Sequence, residues 1–191
     1  KGGFALGETD PETGRRKGEA AGTELAMHAT VAIDDLNRFL AEPEHPGGLS
    51  GTIDFPPFGL SIPAGTGVFN LFNPGGQPGL KLMVYELAFE HGGKPYYIAG
   101  RKEVRDDGVI HMWRDTTTLY TRLHGGSDAN GPVAGAGTLS LGVSDLIRML
   151  GTTQVTNATS PGERAAALAR FGRFFLGQLW DTYGPHLGRA G

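Results

Sequence analysis

Residues 80–104 read LKLMVYELAFEHGGKPYYIAGRKEV, and this stretch decides the fold class. The central Gly92-Gly93 pair can adopt the positive backbone angles that a tight two-residue hairpin turn requires. Folding at that turn sets a register that pairs Phe89 with Tyr96, Leu87 with Ile98, Tyr85 with Gly100 and Met83 with Lys102. This face is largely apolar, whereas the opposite face carries Glu86, Glu90, Arg101 and Glu103. The alternation predicts an antiparallel hairpin with one face on a core and the other in water.

Further short strands are predicted on both sides of the hairpin. Runs of β-branched and aromatic residues are separated by Gly, Pro and Asp turn signals, and they cover residues 24–33, 48–55, 68–72, 109–113, 116–123 and 133–141. The chain contains 32 glycines, and their scatter over turn positions favours many short strands rather than a linker or a collagen repeat. The pattern predicts a mainly antiparallel β-barrel or sandwich of about eight strands.

Helices are predicted at three places. Asp34 or Asp35 caps a short helix that runs to Leu40, and a second short helix covers residues 144–150. A long C-terminal helix is expected over about residues 160–183, because Ser160, Pro161 and Glu163 form a capping box. The fold class is therefore α+β. Aromatic and aliphatic side chains give the long helix a broad apolar face, which we expect to pack against the sheet.

The chain divides into two regions by composition. Residues 1–22 are polar, rich in glycine and without periodicity, which predicts an extended N-terminal arm or linker. Residues 23–191 are expected to form one β-rich domain that includes the C-terminal helix. A chain of 191 residues is long enough to bury a core of its own.

Composition excludes several classes of protein. Seventeen basic and twenty acidic residues give a net charge of −3, which argues against a protein that binds nucleic acid electrostatically. The absence of cysteine excludes disulfides and thiol catalysis. No apolar run is long enough for a membrane helix and no signal peptide is recognisable, so we predict a soluble domain of unassigned compartment. The six histidines form no metal-binding motif, and neither a metal nor a cofactor is predicted.

One segment concentrates the candidate catalytic groups, although no phosphate-binding loop or nucleophile elbow is present. The candidates lie around two predicted turns and comprise Lys102, Asp106, His111 and Asp115. The hairpin register places Lys102 on the apolar face. It is therefore expected either to pair with a carboxylate such as Asp115 or to have a lowered pKa suited to base or Schiff-base chemistry. The alternative is that Lys102 lies near the strand end and reaches solvent.

Aromatic residues around the same segment are candidates for lining a ligand cavity. The predicted ligand-binding set consists of Tyr85, Tyr96, Lys102, Trp113 and Tyr120. The alternative is that these side chains fill an ordinary core.

Several stretches resemble a module of large bacterial flavoproteins. They are Gly3-Phe4, Gly7-Glu8, residues 29–45, Gly51-Thr52, and residues 67–72, 104–107, 113–120 and 170–175. The segment DTTTLY at residues 115–120 is the most specific of them. The flavoproteins are cholesterol-oxidase-like members of the glucose–methanol–choline oxidoreductase family, in which the module follows the flavin domain and often precedes an α/β-hydrolase domain.

The resemblance implies an accessory role near sterol or lipid oxidation, because the flavin-binding and catalytic residues of that family belong to a different domain. We therefore expect a non-catalytic accessory or ligand-binding module for an apolar or sterol-like molecule, with a flavoenzyme or hydrolase domain as a possible partner. The first alternative is a small barrel enzyme of the isomerase or cyclase type acting on an apolar substrate. The second is a structural domain that docks or oligomerises through its apolar helix.

Overall fold

The computed structural model describes residues 1–77, 80–105, 118–140 and 151–183. Within these ranges eight antiparallel strands form a closed barrel, in which each strand pairs with the next in the chain and the last pairs with the first. The strands are β1 Gly2–Leu6, β2 Glu24–Ala32, β3 Pro46–Phe55, β4 Gly59–Pro74, β5 Leu80–His91, β6 Lys94–Arg105, β7 Thr118–Gly125 and β8 Val133–Ser140. The predicted α+β fold with about eight antiparallel strands is confirmed in its barrel form.

The central hairpin has the predicted register. Phe89 pairs with Tyr96 and Met83 pairs with Lys102, and the register is unbroken between these two pairs. Gly92 and Gly93 have φ angles of 58° and 71°, as the two-residue turn requires. The apolar face of the hairpin points into the barrel. The predicted strand at residues 109–113 lies outside the described residues.

The prediction of an extended arm for residues 1–22 is wrong. Residues 2–6 form β1, which pairs with β8 and helps to close the barrel. Helix α1 (Pro11–Ala21) follows, and the Asp10 side chain caps it by accepting a 2.8 Å hydrogen bond from the Thr13 backbone N–H. The glycines of this region are not linker residues. Gly14 and Gly18 are buried, and because they have no side chain they let α1 lie directly on the strands.

The other predicted helices are confirmed where they fall within the described residues. Helix α2 (Leu36–Ala41) is capped by Asp35, whose carboxylate accepts hydrogen bonds from two backbone N–H groups of the first turn. Helix α3 (Pro161–Tyr183) has the predicted bounds. The Ser160 hydroxyl accepts from the Glu163 N–H, while the Glu163 carboxylate accepts from the backbone of Thr159. The predicted short helix at 144–150 lies outside the described residues.

The two ends of the barrel are closed differently. At the end that carries the β5–β6 turn, which we call the hairpin end, aromatic rings pack on one another around Phe58, Phe89, His91 and Tyr96. At the opposite end, which we call the helix end, α2 and α3 pack on the strands through Phe39, Phe171, Phe174 and Phe175. Within the described residues, no helix is long and apolar enough to cross a bilayer.

The pairing between β1 and β2 is short. These strands share only two paired positions, Gly2 with Leu25 and Gly3 with Glu24. From Ala26 to Ala32 the described partner of β2 is β3 alone. Ala29 lies on the same face of β2 as the buried Leu25, yet it is exposed. The described wall therefore has a lateral gap between β1 and β2, towards the helix end.

Candidate functional site

Lys102 points into the barrel from β6. The alternation of the strand dictates this direction, because Ile98 and Gly100 precede it at two-residue intervals on the same buried face. Met83 of β5 is its cross-strand partner and is also buried. An apolar strand face therefore carries one cationic side chain to the interior, near the helix end of the barrel.

The environment of Lys102 disfavours its charged form. The residue is only 8% exposed, and burial lowers the pKa of the ammonium from 10.5 to about 8. None of the ion pairs between described residues includes it. The side chain is therefore largely buried, and the expected lowering of its pKa agrees with this environment. The predicted partner Asp115 lies outside the described residues.

Tyr85 faces the same interior, two residues along the register from Lys102. It pairs with Gly100 on β6, and its ring stands edge-on to Phe69 of β4 at a centroid distance of 5.2 Å. Burial raises the pKa of its phenol well above the usual value, so the hydroxyl keeps its proton at physiological pH. The side chain is nevertheless only partly covered by its neighbours. Tyr85 thus lies on the inward face of the strand while part of its surface remains accessible.

The polar atoms of Lys102 and Tyr85 give the same indication. Every fully buried side-chain nitrogen and oxygen in the described part of the chain has a hydrogen-bond partner. The Lys102 amine and the Tyr85 hydroxyl have no partner among the described residues. Neither atom is therefore fully buried, as expected because unpaired polar groups are strongly disfavoured in a sealed core.

Tyr96 is inside the barrel but far from Lys102. It packs among Phe58 and Phe89 at the hairpin end, with ring centroids 4.9 and 5.6 Å away. Six residues of β6 separate it from Lys102, which corresponds to about 20 Å along a strand. The structure therefore assigns Tyr96 to the aromatic closure of the hairpin end and does not bring it together with Lys102.

Tyr120 lies outside the barrel, and the structure does not bring it together with Lys102 and Tyr85. It pairs with Arg101 on the outer face of the barrel and is 43% exposed. The inward positions of β7 are Leu119, Thr121 and Leu123, which are all buried. The remaining candidates, Asp106, His111, Trp113 and Asp115, lie outside the described residues.

Three interior residues near Lys102 were missed. Phe69 packs on Tyr85, and Leu119 covers the position where Gly100 lacks a side chain: a Cβ there would come within 2.7 Å of the Leu119 side chain. Thr121 is fully buried, and its hydroxyl donates to the Leu119 carbonyl at 3.1 Å. The alternation of Leu119, Thr121 and Leu123 is visible in the sequence and indicates that these residues share a face.

The aromatic face of α3 is covered. Phe175 is 1% exposed and contacts Phe72 of β4, and Phe174 packs edge-on to the His45 ring at 4.6 Å. The prediction that this helix packs against the sheet is confirmed. Within the described part of the helix, Phe175 is therefore not available for docking, whereas Phe171 and Phe174 are half-buried. The exposed apolar residues of α3 include Leu168 and Leu176.

Comparisons with known proteins add no relative: no family model, no curated protein and no solved structure matches this chain.

Proposed function

We propose that this chain is a non-catalytic binding module that holds an apolar small molecule inside its barrel. The observation that carries the proposal is the position of Tyr85. Its side chain lies inside the barrel, where burial raises the pKa of the phenol, but neighbouring side chains do not fully cover it. Eight-stranded barrels are wide enough either to be filled by side chains or to hold one small ligand. Incomplete coverage of an interior tyrosine supports the second arrangement.

The lining supports an apolar ligand. Around Tyr85 the described interior is formed mainly by Phe69, Met83 and Leu119, with the amine of Lys102 as an isolated polar group. Mostly apolar walls with a few polar groups that fix orientation are typical of small-molecule sites. The resemblance of the sequence to a module of cholesterol-oxidase-like flavoproteins supports a sterol-like molecule as one ligand to test.

The direct test is native mass spectrometry of the purified chain, followed by titration with two neutral probes. The probes are N-phenyl-1-naphthylamine, whose fluorescence rises in apolar surroundings, and the fluorescent sterol dehydroergosterol. We expect saturable binding of at least one probe at one molecule per barrel. If neither probe binds after lipid has been extracted from the protein, binding of a neutral apolar molecule is excluded.

Among the described residues, the stretch of β2 that pairs with β3 alone leaves a gap beside β1, and we expect the ligand to enter through this gap. Ala29→Trp places a large ring at the inward side of this gap, whereas Thr30→Trp places the same ring on the outward side of the same strand. We expect Ala29→Trp to slow probe association roughly tenfold and Thr30→Trp to change it less than about twofold. Stopped-flow fluorescence measures both rates. Equal rates for the two variants would show that the ligand enters elsewhere.

The second candidate is a small barrel enzyme, and Lys102 is the observation that favours it. With a pKa of about 8, part of the amine is neutral at pH 7.5 and can attack a carbonyl group. Attack forms an imine, and the carbonyl oxygen leaves as water. Borohydride added in the presence of an apolar aldehyde would reduce that imine to a stable adduct on Lys102. Peptide mapping that finds no adduct on Lys102 removes support for imine chemistry.

A further inference from the structure

Lys102 puts a positive charge on an interior wall that is otherwise mainly apolar among the described residues. We infer that the molecule held in the barrel carries a carboxylate at one end and that Lys102 pairs with this carboxylate. The inference rests on the proposed binding function and deepens it, because it names the ligand class: an organic acid with a long apolar body.

The described strands provide no counter-ion for Lys102. Its neighbour Glu103 is exposed on the outer face of β6, and Glu86 of β5 also faces outward, where it accepts a 2.5 Å hydrogen bond from the Tyr97 hydroxyl. A buried ammonium is strongly disfavoured unless an anion and hydrogen-bond acceptors compensate it. A ligand carboxylate would supply the negative charge and the hydrogen-bond acceptors that the described residues do not provide around Lys102.

Tyr85 provides a second donor for the same group. It lies diagonally across the hairpin from Lys102, at a separation that long side chains can span. Its phenol keeps its proton, so the hydroxyl can donate to one carboxylate oxygen while the ammonium donates to the other. The two polar groups without partners among the described residues thus match the two oxygens of a single carboxylate.

The charge balance selects a monoanion. Among the described residues towards the helix end, the Lys81 ammonium is engaged elsewhere, because it donates to Gln178 of α3 and lies 5.6 Å from the centre of the Phe72 ring. The His45 ring bonds through Nδ1 to the Phe39 carbonyl. From β7, the inward groups beside Lys102 are the uncharged Leu119 and Thr121. One ammonium neutralises a carboxylate, whereas a phosphate dianion would leave a charge uncompensated in apolar surroundings.

Pairing with a carboxylate has a defined pH dependence. Lys102 is charged in the empty barrel below its pKa of about 8, and the ligand anion raises that pKa further. Affinity for the acid should therefore be highest between the pKa of the ligand's carboxyl group and about pH 8. It should fall as the pH rises further, because the empty barrel then has to take up a proton to bind. A neutral ester of the same acid should show no such decline.

The experiment compares cis-parinaric acid, a fluorescent long-chain carboxylic acid, with its methyl ester at pH 7. Three forms of the delipidated full chain are titrated: the unsubstituted chain, Lys102→Met and the exposed-lysine control Lys94→Met. We expect the unsubstituted chain to bind the acid roughly ten- to a hundredfold more tightly than the ester. Lys102→Met should lose this preference while still binding the ester, and Lys94→Met should retain it. Dodecyl phosphate should compete less well than dodecanoic acid.

The outcomes distinguish this inference from the function on which it rests. Equal affinity for acid and ester, or a preference that survives in Lys102→Met, overturns the carboxylate assignment but leaves apolar binding intact. Failure of the acid, the ester and the neutral probes to bind overturns both. Should Lys102→Met fail to fold, the pH profile of the unsubstituted chain and the Tyr85→Phe variant decide instead. Tyr85→Phe is expected to weaken acid binding several-fold and so to reduce the preference for the acid over the ester.

Discussion

Replacing Lys102 by Met should stabilise the empty barrel by roughly 3 kcal/mol at pH 7. The size of this stability gain follows from the pKa of the ammonium, which burial lowers from 10.5 to about 8. Methionine has a similar length, carries no charge and suits the contact with Met83 across the strand pair. Urea unfolding of the delipidated chain, followed by circular dichroism, measures the difference.

The pH dependence of the stability gain identifies the burial of the ammonium as its cause. Below pH 8 the amine is charged in both the folded and the unfolded chain, so the folded state bears the full desolvation cost. Between about pH 8 and 10.5 the folded chain has lost the proton while the unfolded chain still holds it, so the unsubstituted chain gains stability as the pH rises. The advantage of Lys102→Met should therefore shrink across this window and vanish near its upper limit.

The exposed control Lys94→Met should change stability by less than about 0.5 kcal/mol at any of these pH values. A loss of stability in Lys102→Met at pH 7 would contradict the prediction and show that the ammonium already has an anionic partner within the protein. Together with the binding experiment, the expected result describes a residue retained for its ligand at the expense of stability.

The hairpin could be predicted to the residue because two local signals agree on it. The Gly92-Gly93 turn fixes the register, and alternation fixes which face is buried. The inward orientation of Lys102 follows from these two signals alone, because a residue two positions after Gly100 lies on the same face of the strand. The interior position of the principal site residue was therefore predictable without knowledge of the rest of the barrel.

Residues 1–22 and Tyr120 show where local signals mislead. Glycine is typical of turns and linkers, but Gly14 and Gly18 are spaced four apart on one face of a helix, where the lack of a side chain permits close contact. The prediction for Tyr120 rests on its chemistry alone, although Leu119 and Leu123 alternate with it and indicate that it faces outward.

The incomplete coverage of Tyr85 could not be predicted from any one segment. It depends on how side chains from β4, β5, β6 and β7 meet across the barrel, including the way Leu119 lies over Gly100. Sequence periodicity tells which residues point inward. It does not tell whether their combined volume fills the interior, because that depends on the diameter and stagger of the closed barrel.

Gly18→Ala should destabilise the protein by roughly 2–3 kcal/mol, even though alanine is the better helix former. A Cβ at this position would come 2.2 Å from the backbone nitrogen of Phe4 and 2.7 Å from its carbonyl oxygen. Phe4 is fully buried in β1, and its side chain lies over Gly135 and Gly137 of β8, so the strand cannot retreat without opening the barrel core. Helix α1 would have to move outward instead, and its contact with the strands would be lost.

Gly172→Ala in α3 is the matched control. It is also a glycine in a helix, but no atom lies within 4 Å of its added Cβ. There the higher helix propensity of alanine should stabilise the chain by up to about 1 kcal/mol. Opposite signs for the two substitutions in urea unfolding would establish that Gly18 is needed for contact between helix and strand. Two stabilising substitutions would instead show that α1 does not press on β1, and the closure of the barrel through the first 22 residues would have to be rejected with it.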